Sequence, residues 1–134
     1  MQFKECYQNP FIEERADPYI TLGPDGFYYF TASYPMKSAD DKDGYDRVIL
    51  RRAKDISELA SAEEITIWKV ADTTLTHRFI WAPELHYIAG RWYVFYAGSE
   101  DKENNWAFDC HVLVCDSNDP YTGTWSEKGK FQKS

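Results

Sequence analysis

Short runs of alternating apolar and polar residues recur along the chain, each closed by Gly, Pro, Asn or Asp, and this punctuation predicts strands and turns rather than helices. Two stretches superpose: DPYITLGPDGFYYFTAS from Asp17 to Ser33, and APELHYIAGRWYVFYAG from Ala82 to Gly98. Each reads as a Pro-containing strand, a turn with Gly and an aromatic strand. Pro18 matches Pro83, Gly26 matches Gly90 after a one-residue gap and Tyr29 matches Tyr93. The period is about 65 residues, above the range of about 40 to 50 usual for propeller blades, as longer loops would make it.

A third strand is predicted in each unit, Arg47 to Ala53 (RVILRRA) and Cys110 to Cys115 (CHVLVC), and a fourth, Glu64 to Val70 (EITIWKV) and Thr124 to Phe131 (TWSEKGKF). The last is polar enough for an outer edge. Turn signals separate them: GPDG at 23–26, the acidic run SADDKDG at 38–44, AG at 89–90 and NDPYTG at 118–123. Between Ala53 and Glu64 one short helical turn fits, with little helix elsewhere.

Four antiparallel strands, repeated, are the grammar of a β-propeller. The expectation is an all-β chain forming a partial propeller domain over residues 1–134, with a first blade at about 16–70 and a second at about 80–131. Two blades cannot close a ring, which takes about four to eight. Each outward blade face would then leave apolar surface uncovered unless something packs on it. Continuation of the polypeptide beyond Ser134 or assembly of several copies would supply the cover, and the ending KGKFQKS fits truncation.

Composition narrows the partners. The 134 residues are 43% hydrophobic and 28% charged, as in globular proteins, and 17% aromatic, a palette that suits strands and equally suits sugar rings. The formal charge of −7 makes nucleic acid and anionic membrane poor partners. No long apolar stretch follows the N-terminal lysine, so neither a secretory signal nor a membrane helix is read there. The chain is expected in the cytoplasm, or secreted with its signal removed. Three cysteines, Cys6, Cys110 and Cys115, make no disulfide framework and are expected to be buried structural thiols.

The candidate chemistry lies at two places. In Ala16-Asp17-Pro18, proline biases Asp17 toward an extended backbone, so that its carboxylate projects from the start of an inner strand. A turn-capping Asp is the plainer alternative. The run HRFIWAPELHYI, His77 to Ile88, places Trp81 and Glu84 at the matching position. Glu84 follows its proline whereas Asp17 precedes one, so the two acids should face differently. Trp81 serves either as core or as a sugar platform, and Glu84 in an apolar strand needs a partner or a function. His77, His86 and His111 have no recognised metal-ligand spacing.

The blocks DPYITLGPDGFYYFTASYP, YDRVILRRAKDI, ITIWK and IWAPELHYIAGRWYVFYAG, in that order, resemble the opening of family 43 glycoside hydrolases, especially the α-L-arabinofuranosidase branch. The resemblance implies a five-bladed β-propeller that hydrolyses α-L-arabinofuranosides or β-xylosides with inversion. It implies Asp17 as general base and Trp81 and Glu84 as substrate-binding residues, with His77 and Arg78 as weaker candidates. It further implies a later Asp that tunes the acid and a later Glu, in a Glu-Gly-Pro-like motif, that protonates the leaving oxygen; neither motif occurs in these residues. An inverting glycosidase needs an acid and a base roughly 6.5 to 9.5 Å apart, so one carboxylate cannot do both jobs. The isolated monomer is therefore expected to be inactive. No cofactor is required, and calcium is the one metal the resemblance leaves open. The alternative is a non-catalytic carbohydrate-binding or self-assembling two-blade module, a homo-oligomer covering its open faces.

Overall fold

The structure, a computed structural model, describes residues 6–38, 40, 44–76, 78–100, 103–104 and 106–131. The strands are β1 (Ala16–Leu22), β2 (Tyr28–Ser33), β3 (Arg47–Ala53), β4 (Ile65–Lys69), β5 (Ile80–Ile88), β6 (Arg91–Ser99), β7 (Phe108–Cys115) and β8 (Trp125–Lys130). They make two four-stranded antiparallel meanders, β1-β2-β3-β4 and β5-β6-β7-β8. β7 starts at Phe108, before the expected Cys110, because β6 runs on to Ser99 and pairs with it there. The expected helical turn is a 3-10 turn at Ile56–Ala60, where the Asp55 carboxylate accepts from the Ser57 amide at 2.8 Å.

Turn chemistry fixes the repeated hairpin. Ala89 (φ 50°) and Gly90 (φ 81°) both lie in the left-handed region, the pairing that matches the twist of a two-residue hairpin. Gly26 takes nearly the same value, φ 82°, in the corresponding turn of the first unit.

Alternation then sorts the faces. On β6, Trp92, Val94 and Tyr96 are buried toward the first sheet, and Leu113 and Cys115 of β7 join them. Tyr29, Val48, Leu50 and Trp68 meet them from the first sheet, with Ile80 and Leu85 of β5 between. Each such Leu or Val contributes about 1.5–3 kcal/mol relative to exposure. Polar links pin the two sheets at the rim: Arg52 Nη1 donates to both Asp119 carboxylate oxygens, at 3.0 and 3.1 Å, and Tyr121 donates to the Glu63 carbonyl at 3.0 Å.

The two outer faces differ: one is covered by the chain itself and the other is not. On the first sheet Phe30, Ala32, Ile49 and Ala53 are covered by Phe11 and Ile12 from the segment before β1 and by Ile56 and Leu59 of the 3-10 turn. Arg15 and Arg51 clamp that cover through Glu64, at 2.5 and 3.2 Å. Burial alone would raise the Glu64 carboxyl, but the two guanidiniums hold it below the usual carboxylate range. The second sheet keeps an open groove of about 380 Å³, lined by Ile88, Tyr93, Phe95, Val112 and Phe131 among others.

The cysteines also depart from expectation. Cys115 is buried and Cys110 half-buried, but Cys6 is exposed because it precedes every strand. The charged loops at 38–46 and 99–105 fall partly outside the described residues.

Candidate functional site

Both inner strands carry the same irregularity. The β1–β2 register slips between Ala16 and Tyr19, and the β5–β6 register slips between Trp81 and Glu84. Pro18 and Pro83 occupy these slips, and a residue without an N–H cannot continue a ladder. The residue before each proline has positive φ, 51° at Asp17 and 47° at Ala82. Asp17 is therefore not extended, contrary to expectation: the bulge demands a left-handed turn there, overriding proline's usual restriction on its predecessor.

That turn carries the Asp17 carboxylate out of the ladder and onto Ser33, whose hydroxyl donates to Oδ2 at 2.9 Å. Ser33 Oγ in turn accepts the Ala82 amide at 2.7 Å. Two hydrogen bonds thus link Asp17, exposed to solvent, to the residue beside Trp81. Among the described residues the other carboxylate oxygen has no hydrogen-bond partner. Such a group can take a proton from water.

Trp81 forms the centre of an aromatic wall. It stacks on Phe108 (ring centroids 4.1 Å, 22°) and Phe79 (5.4 Å, 25°), and meets Tyr45 and Trp106 edge to face at 5.8 and 5.9 Å. Its Nε1 is buried and finds no acceptor among the described residues. Trp106 is 80% exposed. Arg78, also exposed, lies over the Phe79 ring at 4.8 Å. His77 lies outside the described residues.

Glu84 lines a cavity of about 340 Å³ together with Ala82 and Phe108 of the wall. Half-exposed, it pairs with His86 Nε2 at 3.0 Å, and His86 packs against Tyr19 and Phe95. The structure thus links Asp17, through Ser33, to the amide beside Trp81, and pairs Glu84 with His86. His111 is buried away from the candidate residues and stacks on Tyr96 at 5.2 Å. Burial pushes its imidazole below the ordinary value, against the opposing pull of the Glu100 carboxylate. Among the described residues no three His, Cys, Asp or Glu side chains gather to hold a metal ion, and no helix is long and apolar enough to cross a membrane.

Sequence reasoning missed Ser33, Tyr45, Phe79, Trp106 and Phe108. Ser33 had a signal, since pairing Tyr29 with Tyr93 sets Ser33 against Ala97, a polar residue at an apolar position of the repeat. Tyr45 and Trp106 sit in connections, where strand periodicity says nothing.

The chain is similar to known enzymes over nearly all its length. It is 43% identical over 125 residues to an extracellular exo-α-(1→5)-L-arabinofuranosidase of Streptomyces avermitilis, covering 93% of this chain and 24% of that protein. It is 43% identical to an enzyme of the same name from Streptomyces chartreusis, covering 94% and 36%. The α-L-arabinofuranosidase structure from Lactobacillus brevis superposes with a TM-score of 0.78 at 40% identity, covering 94% of this chain and 39% of that one. The chain therefore spans about a quarter to two-fifths of the length of these relatives, all of them arabinofuranosidases by name. The two meanders are of the β-propeller type of such enzymes, and the model of the glycosyl hydrolases family 43 matches residues 7–134. With that match, and with relatives at 43% identity, the chain belongs to glycosyl hydrolase family 43.

Proposed function

We propose that this chain supplies the general base and part of the sugar pocket of an inverting glycosidase acting on α-L-arabinofuranosides or β-xylosides, in a propeller of five blades. Asp17 removes a proton from the water that attacks the anomeric carbon. The glycosidic oxygen leaves with a proton from a second carboxyl roughly 6.5–9.5 Å away, the gap that leaves room for the water. Glu84 is poorly suited to that duty: it is half-exposed, and one of its oxygens is taken up by His86 Nε2 at 3.0 Å. The acid lies outside these residues in this reading, and the isolated chain turns over no glycoside.

One observation carries the proposal. The Asp17 carboxylate is anchored through a single oxygen, one hydroxyl away from the amide next to Trp81. Trp81, at the centre of the aromatic wall, supplies ring surface for a sugar to stack on. Arg78, over the Phe79 ring, adds a donor beside the wall, Glu84 accepts from hydroxyls farther along β5, and His77 is a further candidate by sequence alone. The reaction needs only carboxyl groups and water, so no cofactor is invoked. The names of the two Streptomyces relatives favour secretion over a cytoplasmic location.

A second reading is favoured by the open groove on the second sheet, where Phe95 and Val112 face outward. Copies of the chain would cover it by pairing, and a strictly monomeric species in light scattering excludes that reading.

The stereochemical course tests the first. The chain is spliced in place of the matching stretch of the Lactobacillus brevis enzyme, and the first-formed anomer from an α-L-arabinofuranoside is followed by proton NMR. The β-anomer is expected first; initial release of the α-anomer refutes inversion through an Asp17-activated water.

A further inference from the structure

We propose that Ser33 is a positioning residue for the reaction, setting the direction of the Asp17 carboxylate and its distance from the aromatic wall; this rests on Asp17 being the base. Ser33 is completely buried at the end of β2, opposite Ala16. Its hydroxyl both donates and accepts. Because Oγ receives the Ala82 amide at 2.7 Å, its own proton is left to point at Asp17 Oδ2, 2.9 Å away. A freely rotating hydroxyl would not hold the carboxylate in one orientation. This one is fixed by a backbone group of the neighbouring sheet, and it leaves the second carboxylate oxygen to meet water.

The internal repeat shows that the fold itself does not need this pair. In the first unit Ala16 opposes Ser33, and in the second Trp81 opposes Ala97. The counterpart of Asp17 is Ala82 and the counterpart of Ser33 is Ala97. The second unit nevertheless forms the same bulge, with the same proline and the same positive φ. An acid and a hydroxyl therefore stand together where the second unit manages with two alanines. Asp17 is also exposed, so its bond to Ser33 is not needed to bury a charge. The hydroxyl serves the direction of the carboxylate.

Loss of that bond leaves the carboxylate free to turn about its side-chain torsions. A general base displaced by about 1 Å loses up to about 100-fold in rate. The test uses the chain spliced into the Lactobacillus brevis enzyme, with a nitrophenyl α-L-arabinofuranoside as substrate. Ser33→Ala is expected to lower kcat about 10- to 100-fold with KM within about twofold, and Ser33→Thr, which keeps the hydroxyl, to restore most of it. Added to Asp17→Ala, Ser33→Ala should lower kcat no further.

Turnover that survives Asp17→Ala overturns the base assignment and this inference with it. Turnover lost in Asp17→Ala but unchanged in Ser33→Ala overturns the role of Ser33 alone, as does an equal further loss in the double variant. A crystal structure of the Ser33→Ala chain gives an independent reading should the spliced variant fail to fold. Asp17 is expected to leave its single orientation, and a carboxylate that stays in place overturns the proposal.

Discussion

Replacing Trp81 separates its packing from its chemistry. Stacked pairs contribute about 0.5–1.5 kcal/mol each beyond burial, so the contacts with Phe108 and Phe79 together amount to about 1–3 kcal/mol. Trp81→Ala also forfeits the half-buried ring area, for a total of about 2–4 kcal/mol. Trp81→Phe keeps a ring in the stack and removes a buried, unpaired N–H whose retention costs about 1–3 kcal/mol. That gain offsets the smaller ring, leaving a net change within about 1 kcal/mol. Urea denaturation followed by circular dichroism measures both, with unchanged m-values confirming that midpoints report stability. Trp81→Phe should keep the fold, whereas Trp81→Ala should also weaken binding of arabino-oligosaccharides, because it removes the ring face. An Ala variant as stable as the parent would refute the packed wall. A Phe variant as damaged as the Ala variant would show that the indole N–H already has an acceptor.

Glu64, held low by Arg15 and Arg51, contributes stability that is present above the unfolded carboxylate value of about 4.3 and is lost as pH falls through its folded value. Glu64→Gln should therefore flatten the acid limb of a stability profile below about pH 5, and an unchanged limb contradicts the clamp. His111 is depressed by burial, so the unfolded chain takes up the proton first and stability declines as pH drops below about 6.5. His111→Leu should remove that slope between about pH 7 and 5, whatever its effect at neutral pH; a persisting slope assigns it elsewhere. Among the thiols, exposed Cys6 should react promptly with a disulfide reagent, whereas Cys115, buried and with its thiol pushed up by desolvation, should react only on unfolding. Fast labelling of Cys115 in the native chain would contradict the packed core.

Much of the fold was legible because strand alternation and turn chemistry are local. Pro18 and Pro83, Gly26 and Gly90, and Tyr29 and Tyr93 occupy matching places in the two sheets, and β3 has the bounds its apolar run predicts. What was missed depends on contacts across the chain. The cover over Phe30 and Ile49 comes from Phe11 and Ile12, residues with no strand pattern of their own. Asp17 could be picked out by its position before a proline, but its left-handed backbone follows from a bulge that only strand pairing reveals. Trp81 was ambiguous between core and platform because its neighbours Tyr45 and Trp106 arrive from separate connections. Ser33 looked like an ordinary strand end, and its meaning lies in a hydrogen bond to Ala82, 49 residues away.

Asp17 is proposed to activate the attacking water, and removing its carboxylate is the most direct test. In the spliced arabinofuranosidase, steady-state turnover of a nitrophenyl α-L-arabinofuranoside by Asp17→Ala should fall by at least about 100-fold, the contribution of a positioned base, while the protein stays folded. Turnover within a few-fold of the parent would contradict it.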